Sequence, residues 1–153
     1  MLLRREALDK DIAALFFARP EAAILVSLPG IGPRLGARIL NELGHVRRFP
    51  SAAHLASYAG LGPASWRSGT SLHHDAVRHF GNQRLKNALF QAAFASLPHT
   101  PSRAYYDRKR QEGKNHRQAT LCLARRRLDV LYAMLIRGEP YRPHTPERQP
   151  QAA

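Results

Sequence analysis

The chain has 153 residues, in which 24 lysines and arginines oppose 11 aspartates and glutamates, giving a formal net charge of +13 at pH 7. This length supports one hydrophobic core and is short for two domains. An excess of positive charge this large is typical of proteins whose partner is a polyanion, and arginine, which outnumbers lysine here, suits phosphate through its fork of donors.

The sequence contains no apolar run long enough to span a membrane, no export signal and no lipidation motif, so we expect no membrane partner. Its single cysteine, Cys122, excludes a disulfide framework and a cysteine-based metal cluster. We predict that Cys122 is a small core residue in a helix. A cytoplasmic, nucleoid-associated location in a bacterium follows as the expectation.

Helical spacing of apolar residues begins at once and covers residues 2–28, with an interruption at Pro20. A turn over residues 29–32 separates this stretch from a helix predicted over 33–43, which Gly44 ends. The first part of the chain is therefore predicted to be a pair of helices joined by a short glycine-bearing turn.

A short alanine-rich helix is predicted next, with Ser51 as its N-cap and its end near Ala59. Residues 60–75 differ in kind, because Gly, Pro, Ser, Thr and His dominate and no helical stripe remains. We interpret them as a long irregular loop or a short hairpin insertion. Loops of that length inside a compact domain are uncommon and often functional.

Three helices are predicted in the second half, over residues 83–97, from Thr100 to Gly113, and from the cap Asn115 to about residue 137. The fold class is therefore all-α, a compact helical domain with one irregular insertion. We divide the chain into a connecting helix (1–23), a domain (24–141) and a disordered tail (142–153).

The turn Leu28-Pro29-Gly30-Ile31-Gly32 is typical of a helix-hairpin-helix motif. Two glycines allow a tight turn and a close approach of backbone to phosphate. The following helix then presents free N–H groups and its positive end, and Arg34 and Arg38, one turn apart, can flank the same strand. We predict that this element binds the backbone of nucleic acid, most readily DNA.

The sequence of this turn allows two other interpretations. A dinucleotide-binding strand–turn–helix is disfavoured, because the glycines are spaced GxGxxxG and no βαβ unit surrounds them. An ordinary pair of helices whose glycines merely form the turn stays open, since isolated glycine motifs are weak signals. In a chain this basic we favour phosphate binding.

Several further short motifs follow the turn in a fixed order. They are Phe49 before a capped helix, Tyr58-Ala59-Gly60-Leu61-Gly62-Pro63, Ser68-Gly69, Gly81-Asn82, a Leu/Ala-rich helix, Tyr106, Gly113-Lys114 and a closing helix with Tyr132. Together with the turn, this order resembles the C-terminal domain of the insertion sequence 110/116/902 family of transposases, which is related to Piv-type DNA invertases. The resemblance covers residues 24–141. Lys86 stands where the family usually has arginine, and His79 where it often has lysine.

The resemblance implies a transposase or site-specific recombinase guided by a bridge RNA and forming homo-oligomers. Family members pair this domain with an N-terminal RuvC-like domain, whose DEDD carboxylates bind Mg²⁺, and the serine of the Ser-Gly pair, here Ser68, is the implied nucleophile. No cofactor is expected in this chain itself. Because no RuvC-like pattern is present, we interpret the chain as a C-terminal fragment, a truncated product or one half of a split enzyme that needs the other domain in trans.

Ser65 and Ser71 are alternative nucleophiles, because alignment within an irregular loop shifts easily. His73 and His74 beside Asp75 suggest a metal site or a catalytic triad, but adjacent histidines point in different directions, so a basic loop meeting DNA is the simpler account. The residues predicted to bind DNA are Pro29, Gly30, Ile31, Gly32, Arg34, Arg38, Arg67, Gly69, Arg84 and Lys86. The alternative function is a non-catalytic helix-hairpin-helix module that binds DNA or RNA.

Overall fold

A computed structural model describes residues 1–62 and 81–143, and within them the chain forms helices and no strand. The helices are α1 (Leu2–Phe17), α2 (Glu21–Ser27), α3 (Pro33–Leu43), α4 (Ala52–Tyr58), α5 (Gln83–Ala95), α6 (Thr100–Gln111) and α7 (His116–Arg137), and a 3₁₀ turn covers Val46–Arg48. The all-α class predicted from the sequence is confirmed. The predicted irregular insertion lies, from residue 63 onward, outside the described residues.

Helix ends follow the capping residues. The Ser51 hydroxyl accepts the backbone N–H of His54 at the start of α4, and Asn115 forms a capping box with Gln118 at the start of α7. α3 ends at Gly44 and α7 at Gly138, both with a φ of +66°. These boundaries need only local hydrogen bonds, so they could be predicted from the sequence.

Helix α7 is the centre of the core and packs against α2, α4, α5 and α6. Its largest enclosed side chains include Leu123, Leu128 and Leu131, each at most 2% exposed. The predicted apolar face of α5 is also buried, at Leu85, Leu89, Ala92 and Ala93. Cys122, which we predicted in the core, is only half-buried, because it lies at the edge of the α7 stripe that faces the other helices.

Helix α1 packs against α3 instead of extending away from the domain. Phe16 is 3% exposed, and its ring lies where a Cβ on Gly36 would come within 2.6 Å of Cζ. The division we placed at residue 24 falls inside α2. In the described part of the chain, α1 and α2 are thus packed with the helices that follow, and none of these helices is long and apolar enough to cross a membrane.

Candidate nucleic-acid interface

The hairpin turn, residues 28–32, joins α2 to α3 as the motif predicts. The backbone N–H of Ile31 donates to the Leu28 carbonyl at 3.2 Å, Gly30 has a φ of +92°, and Gly32 is the N-cap of α3, with Pro33 as its first residue. The Ile31 side chain is 5% exposed and lies in the core. Any contact of Ile31 with a ligand is therefore limited to its backbone.

The two glycines of the turn differ in what surrounds them. A Cβ at Gly30 would lie 2.3 Å from the Ala92 carbonyl oxygen and 2.9 Å from the Ser96 nitrogen, so the turn is pressed against the end of α5. A Cβ at Gly32 would meet nothing within 4 Å, and Gly32 supplies no side-chain cap to the first N–H groups of α3. Gly30 is needed for packing, whereas Gly32 leaves the positive end of α3 open.

A buried arginine from α7 holds the turn from the other side. Arg127 is 8% exposed, and its guanidinium donates to the Pro29 carbonyl and, at 3.4 Å, to the Ser102 hydroxyl. Burial lowers the pKa of Arg127 to about 10. Arg127 is the last of three consecutive arginines, residues 125–127, in α7. Because three consecutive residues span most of one helical turn, their side chains point in different directions, and that of Arg127 points into the core.

The other two arginines of that run stay near the surface and differ in their partners. Arg125 forms an ion pair with Asp129, one turn along α7. Arg126 is exposed, and its guanidinium carbon lies 4.8 Å from the centre of the Tyr105 ring on α6. These two members of the run are therefore more accessible to solvent than Arg127.

A polar groove runs between α3 and α5. Its volume is about 510 Å³, and its lining side chains are all polar: Arg38, Asn41, Glu42, Arg84, Asn87 and Gln91. Residues three or four positions apart share a helix face, which brings Arg84, Asn87 and Gln91 into line opposite α3. Two predicted DNA contacts, Arg38 and Arg84, thus lie on opposite walls of one groove.

The charges of this groove remain accessible. Arg84 is 85% exposed and its guanidinium is 4.0 Å from the Glu42 carboxylate, a spacing that contributes little when the cation is so solvated. Arg34, one turn before Arg38, instead pairs with Asp9 of α1 at 2.7 Å, with both side chains largely exposed. Arg38 and Arg84 are therefore freer to meet an anion than Arg34.

Lys86 lies elsewhere on α5, in the vicinity of Arg117 at the start of α7. Partial burial and the charge of Arg117 lower the pKa of Lys86. Lys86 does not line the groove. Arg84 and Lys86, the two residues of α5 that the sequence predicts to bind DNA, therefore lie on different faces of the helix. Arg67, Ser68 and Gly69 lie outside the described residues, as do the alternatives Ser65 and Ser71 and the group His73, His74 and Asp75.

A junction beside this groove is formed by residues on either side of segment 63–80. The backbone N–H of Asn82 donates to the Tyr58 carbonyl at 2.6 Å. Gly81, at a φ of +90°, lies so close that a Cβ on it would be 2.5 Å from the Gly60 nitrogen and 2.8 Å from the Tyr58 carbonyl oxygen. The described residues that precede and follow these 18 residues are thus in contact with each other.

Side chains reinforce this junction through Glu42, the residue that sequence reasoning missed. The Asn82 amide donates to the Glu42 carboxylate at 2.9 Å and to the Tyr58 hydroxyl at 3.0 Å, while its oxygen caps α5 by accepting from Leu85 N–H. The Tyr58 hydroxyl donates to the Glu42 carbonyl at 3.2 Å. Glu42 also lines the groove, so the groove and the junction share one carboxylate.

A metal site does not form from the described residues. Among residues 1–62 and 81–143, no three His, Cys, Asp or Glu side chains converge in a way that could hold an ion. The arrangement that does form, two arginines on opposite walls of a polar groove, suits a phosphate-bearing ligand.

Comparison with known proteins identifies the family. The model of the transposase IS116/IS110/IS902 family matches residues 22–107. The 43.6 kDa protein of insertion element IS110 from Streptomyces coelicolor is 49% identical over 94% of this chain and 36% of its own length. The pilin gene-inverting protein of Moraxella bovis is 35% identical over 88% of this chain and 44% of its length.

A more distant relative is the transposase of insertion sequence element IS1111A from Coxiella burnetii, 25% identical over 93% of this chain. The chain spans 36% to 44% of the length of these relatives. The resemblance drawn from the short motifs is confirmed: the chain belongs to the IS116/IS110/IS902 family of transposases and corresponds to the C-terminal region of its members.

Proposed function

We propose that this chain binds DNA for a transposition reaction and carries its serine nucleophile, Ser68, while a separate metal-binding domain completes the catalytic site. The family and the relatives named as transposases and as a gene-inverting protein support a role in breaking and rejoining DNA. The net charge of +13 supports a polyanionic substrate.

The observation that carries the proposal is the position of the groove beside the junction. Arg38 and Arg84 offer two guanidinium groups to a DNA strand, and Glu42 links that groove to Asn82, which follows segment 63–80 in the chain. Ser68 follows Gly62 by six residues, so even a fully extended chain keeps it within about 22 Å of Gly62. The proposal requires that this serine reach a phosphodiester bound at the groove.

The proposed chemistry is the attack of the Ser68 hydroxyl on a DNA phosphodiester. A bond forms between Oγ and phosphorus, the bond from phosphorus to one sugar oxygen breaks, and the released sugar hydroxyl takes up the proton that serine loses. Attack by another DNA hydroxyl reverses these steps and transfers the strand. A serine hydroxyl is a weak nucleophile, so the reaction needs a base and charge neutralisation at the phosphoryl group.

The arginines of the groove neutralise part of that charge in the bound substrate. The resemblance assigns Mg²⁺ to carboxylates of a RuvC-like domain, where the ion polarises the phosphoryl oxygens. The described residues of this chain do not fit such a site, so its own part is to bind the strand and present the nucleophile. Activity is expected only with the second domain supplied.

Trapping of the covalent intermediate tests the nucleophile. The chain is mixed with the N-terminal domain of the IS110 relative, Mg²⁺ and a labelled insertion-element end, and protein–DNA adducts are resolved on a denaturing gel. The adduct should map by mass spectrometry to Ser68 and disappear in Ser68→Ala, while Ser65→Ala and Ser71→Ala retain it. An adduct that survives Ser68→Ala refutes the assignment, and its loss in Ser65→Ala or Ser71→Ala identifies the actual nucleophile.

A non-catalytic binding module is the second candidate function, and the open N-terminus of α3 at Gly32 favours it. Such a module uses the same groove and hairpin turn but forms no adduct. Duplex binding that depends on Arg38 and Arg84, together with no adduct at any serine when the second domain is present, supports this candidate over the first.

A further inference from the structure

We propose that a second anion-binding site, distinct from the groove between α3 and α5, lies in a pocket between α6, α7 and the segment that follows α7. Its ligand is a phosphodiester group of a nucleic-acid strand. The side chains that define it are Ser102, Tyr105, Arg126, Arg127, Tyr141 and Arg142.

The segment after α7 folds back to form one wall of this pocket. Gly138 ends the helix in the left-handed region, which turns the chain back toward α2. There the backbone N–H of Tyr141 donates to the Ser27 hydroxyl at 2.8 Å, and its ring meets the His99 ring edge-on at 6.1 Å. These contacts fix Tyr141 and bring the neighbouring Arg142 to the rim.

Positive charge collects around Tyr105 on the opposite wall. The guanidinium carbons of Arg126 and Arg108 lie 4.8 and 5.1 Å from the ring centre, and the Lys109 ammonium lies 5.5 Å from it. Of these cations only Lys109 has a carboxylate partner within the described residues, Glu112 at 3.0 Å. The two arginines that line the pocket rim, Arg126 and Arg142, form no ion pair with a carboxylate of the described residues.

The floor of the pocket contains a buried cation with neutral partners. Arg127 donates to the Pro29 carbonyl and the Ser102 hydroxyl, and no carboxylate of the described residues forms an ion pair with it. Buried charges in proteins are normally compensated by an opposite charge. A bound anion would supply that compensation here.

Size and chemistry narrow the ligand. The pocket volume is about 230 Å³, below the roughly 300–1,000 Å³ of sites for whole small molecules. A phosphate group with adjoining sugar atoms fits this space better than an intact cofactor does. The forked donors of arginine and the nearby tyrosine hydroxyls match phosphate oxygens, and the net charge of the chain favours a polymer that carries many of them.

The inference is independent of the groove, because the two sites share no lining residue. One connection between them is the hairpin turn, whose Pro29 carbonyl accepts a hydrogen bond from the pocket's Arg127. A strand bound in the pocket would therefore pass on the α6–α7 side of the turn. Whether that strand is duplex DNA, single-stranded DNA or RNA does not alter the chemistry.

Fluorescence anisotropy with three labelled 20-nucleotide probes of one sequence, as duplex DNA, single-stranded DNA and RNA, tests the pocket. The variants are Arg126→Gln and Arg142→Gln, and Arg137→Gln is the matched control, an exposed arginine of α7 outside the pocket. Arg126 and Arg142 are exposed, so neither substitution should disturb the core, and matching circular dichroism melts verify this.

We expect each pocket variant to bind at least one probe fivefold to tenfold more weakly than the control, because each loses a charged hydrogen bond to phosphate. The slope of log affinity against log salt should fall by about one. The probe that loses affinity identifies the strand. Pocket variants that bind all three probes as tightly as Arg137→Gln overturn the proposal, whatever Arg38→Gln and Arg84→Gln do.

Discussion

The hairpin turn and the junction at Gly60, Gly81 and Asn82 are built in the same way and serve different ends. Each presses the Cα of one positive-φ glycine against the backbone of another segment, and each is held by a residue distant in sequence. At the hairpin turn that residue is a buried cation, Arg127; at the junction it is a carboxylate, Glu42.

The difference lies in what each one joins. The hairpin turn connects two helices of the core, so its first glycine and its arginine serve mainly to hold the fold. The junction joins the described residues on either side of segment 63–80 and shares Glu42 with the basic groove. One glycine of a motif that predicts phosphate binding can therefore be required for packing. In this protein the positive charge that an anion would meet comes from the groove between α3 and α5.

The largest effect should come from adding one methyl group at either glycine. Gly30→Ala and Gly81→Ala place a Cβ within 2.5 Å of backbone atoms, in addition to the strain of a positive φ. We expect each to lower the free energy of unfolding by about 2–5 kcal/mol. The measurement is urea unfolding followed by circular dichroism.

Gly113→Ala is the matched control, since Gly113 has a φ of +91° and open space around its Cα. It should lose only the strain, about 1–2 kcal/mol. Gly32→Ala, at a φ of −95° with nothing nearby, should leave stability nearly unchanged. If Gly81→Ala lowers the free energy of unfolding no more than Gly113→Ala does, the close packing described at the junction is wrong.

Removal of the cation at the hairpin turn should rank next. Arg127→Met leaves the Pro29 carbonyl without its donor, and we expect a loss of about 2 kcal/mol, moderated by relief of the buried charge. Arg126→Met, on the exposed neighbour, should stay within about 0.5 kcal/mol of wild type. Equal unfolding free energies for the two variants would remove the distinction between structural and accessible arginines of this run.

At the junction, exchanging the amide of Asn82 and the carboxylate of Glu42 separates the contribution of helix capping from that of the hydrogen bond between the two side chains. Asn82→Asp keeps the N-cap of α5 but sets a carboxylate against Glu42, and we expect it to lose about 1–2 kcal/mol. Adding Glu42→Gln restores one carboxylate and one amide, so the double variant should recover most of the loss. A double variant no more stable than Asn82→Asp would show that the two side chains do not interact.

The smallest effect on stability is expected at Lys86, which lies on α5 outside the groove and near Arg117 of α7. Its lowered pKa means that the folded state binds this proton less tightly than the unfolded state does. Lys86→Met should therefore raise stability at pH 7, but by no more than about 0.5 kcal/mol, because Lys86 is only partly buried and solvent screens its charge. The advantage over wild type should shrink as the pH rises through the lowered pKa toward 10.5, and an advantage that grows instead contradicts this.

Local signals in the sequence predicted most of the fold. Interactions within a few residues determine the bounds of α3, the caps Ser51 and Asn115 and the helix end at Gly44, so the local sequence pattern is enough to predict them. The family could also be recognised, because its short motifs keep their order along the chain.

Distant contacts could not be predicted in this way. Arg127 looks like its neighbours in sequence, yet it is buried because helix phase points it at a turn 98 residues earlier. Glu42 and Asn82 meet across 40 residues, and nothing around Glu42 marks it. The role of Gly30 depends on where the end of α5 lies, which no local pattern encodes.

The most direct test of the account is the salt dependence of duplex DNA binding by the groove. Affinity for a 20-base-pair duplex is measured between 50 and 200 mM salt for wild type, for Arg38→Gln with Arg84→Gln, and for Arg137→Gln, all with unchanged melting curves. The account predicts that the groove variant binds more weakly and that its log–log salt slope falls by about two, whereas the control keeps the wild-type slope. A groove variant with the affinity and slope of wild type contradicts it.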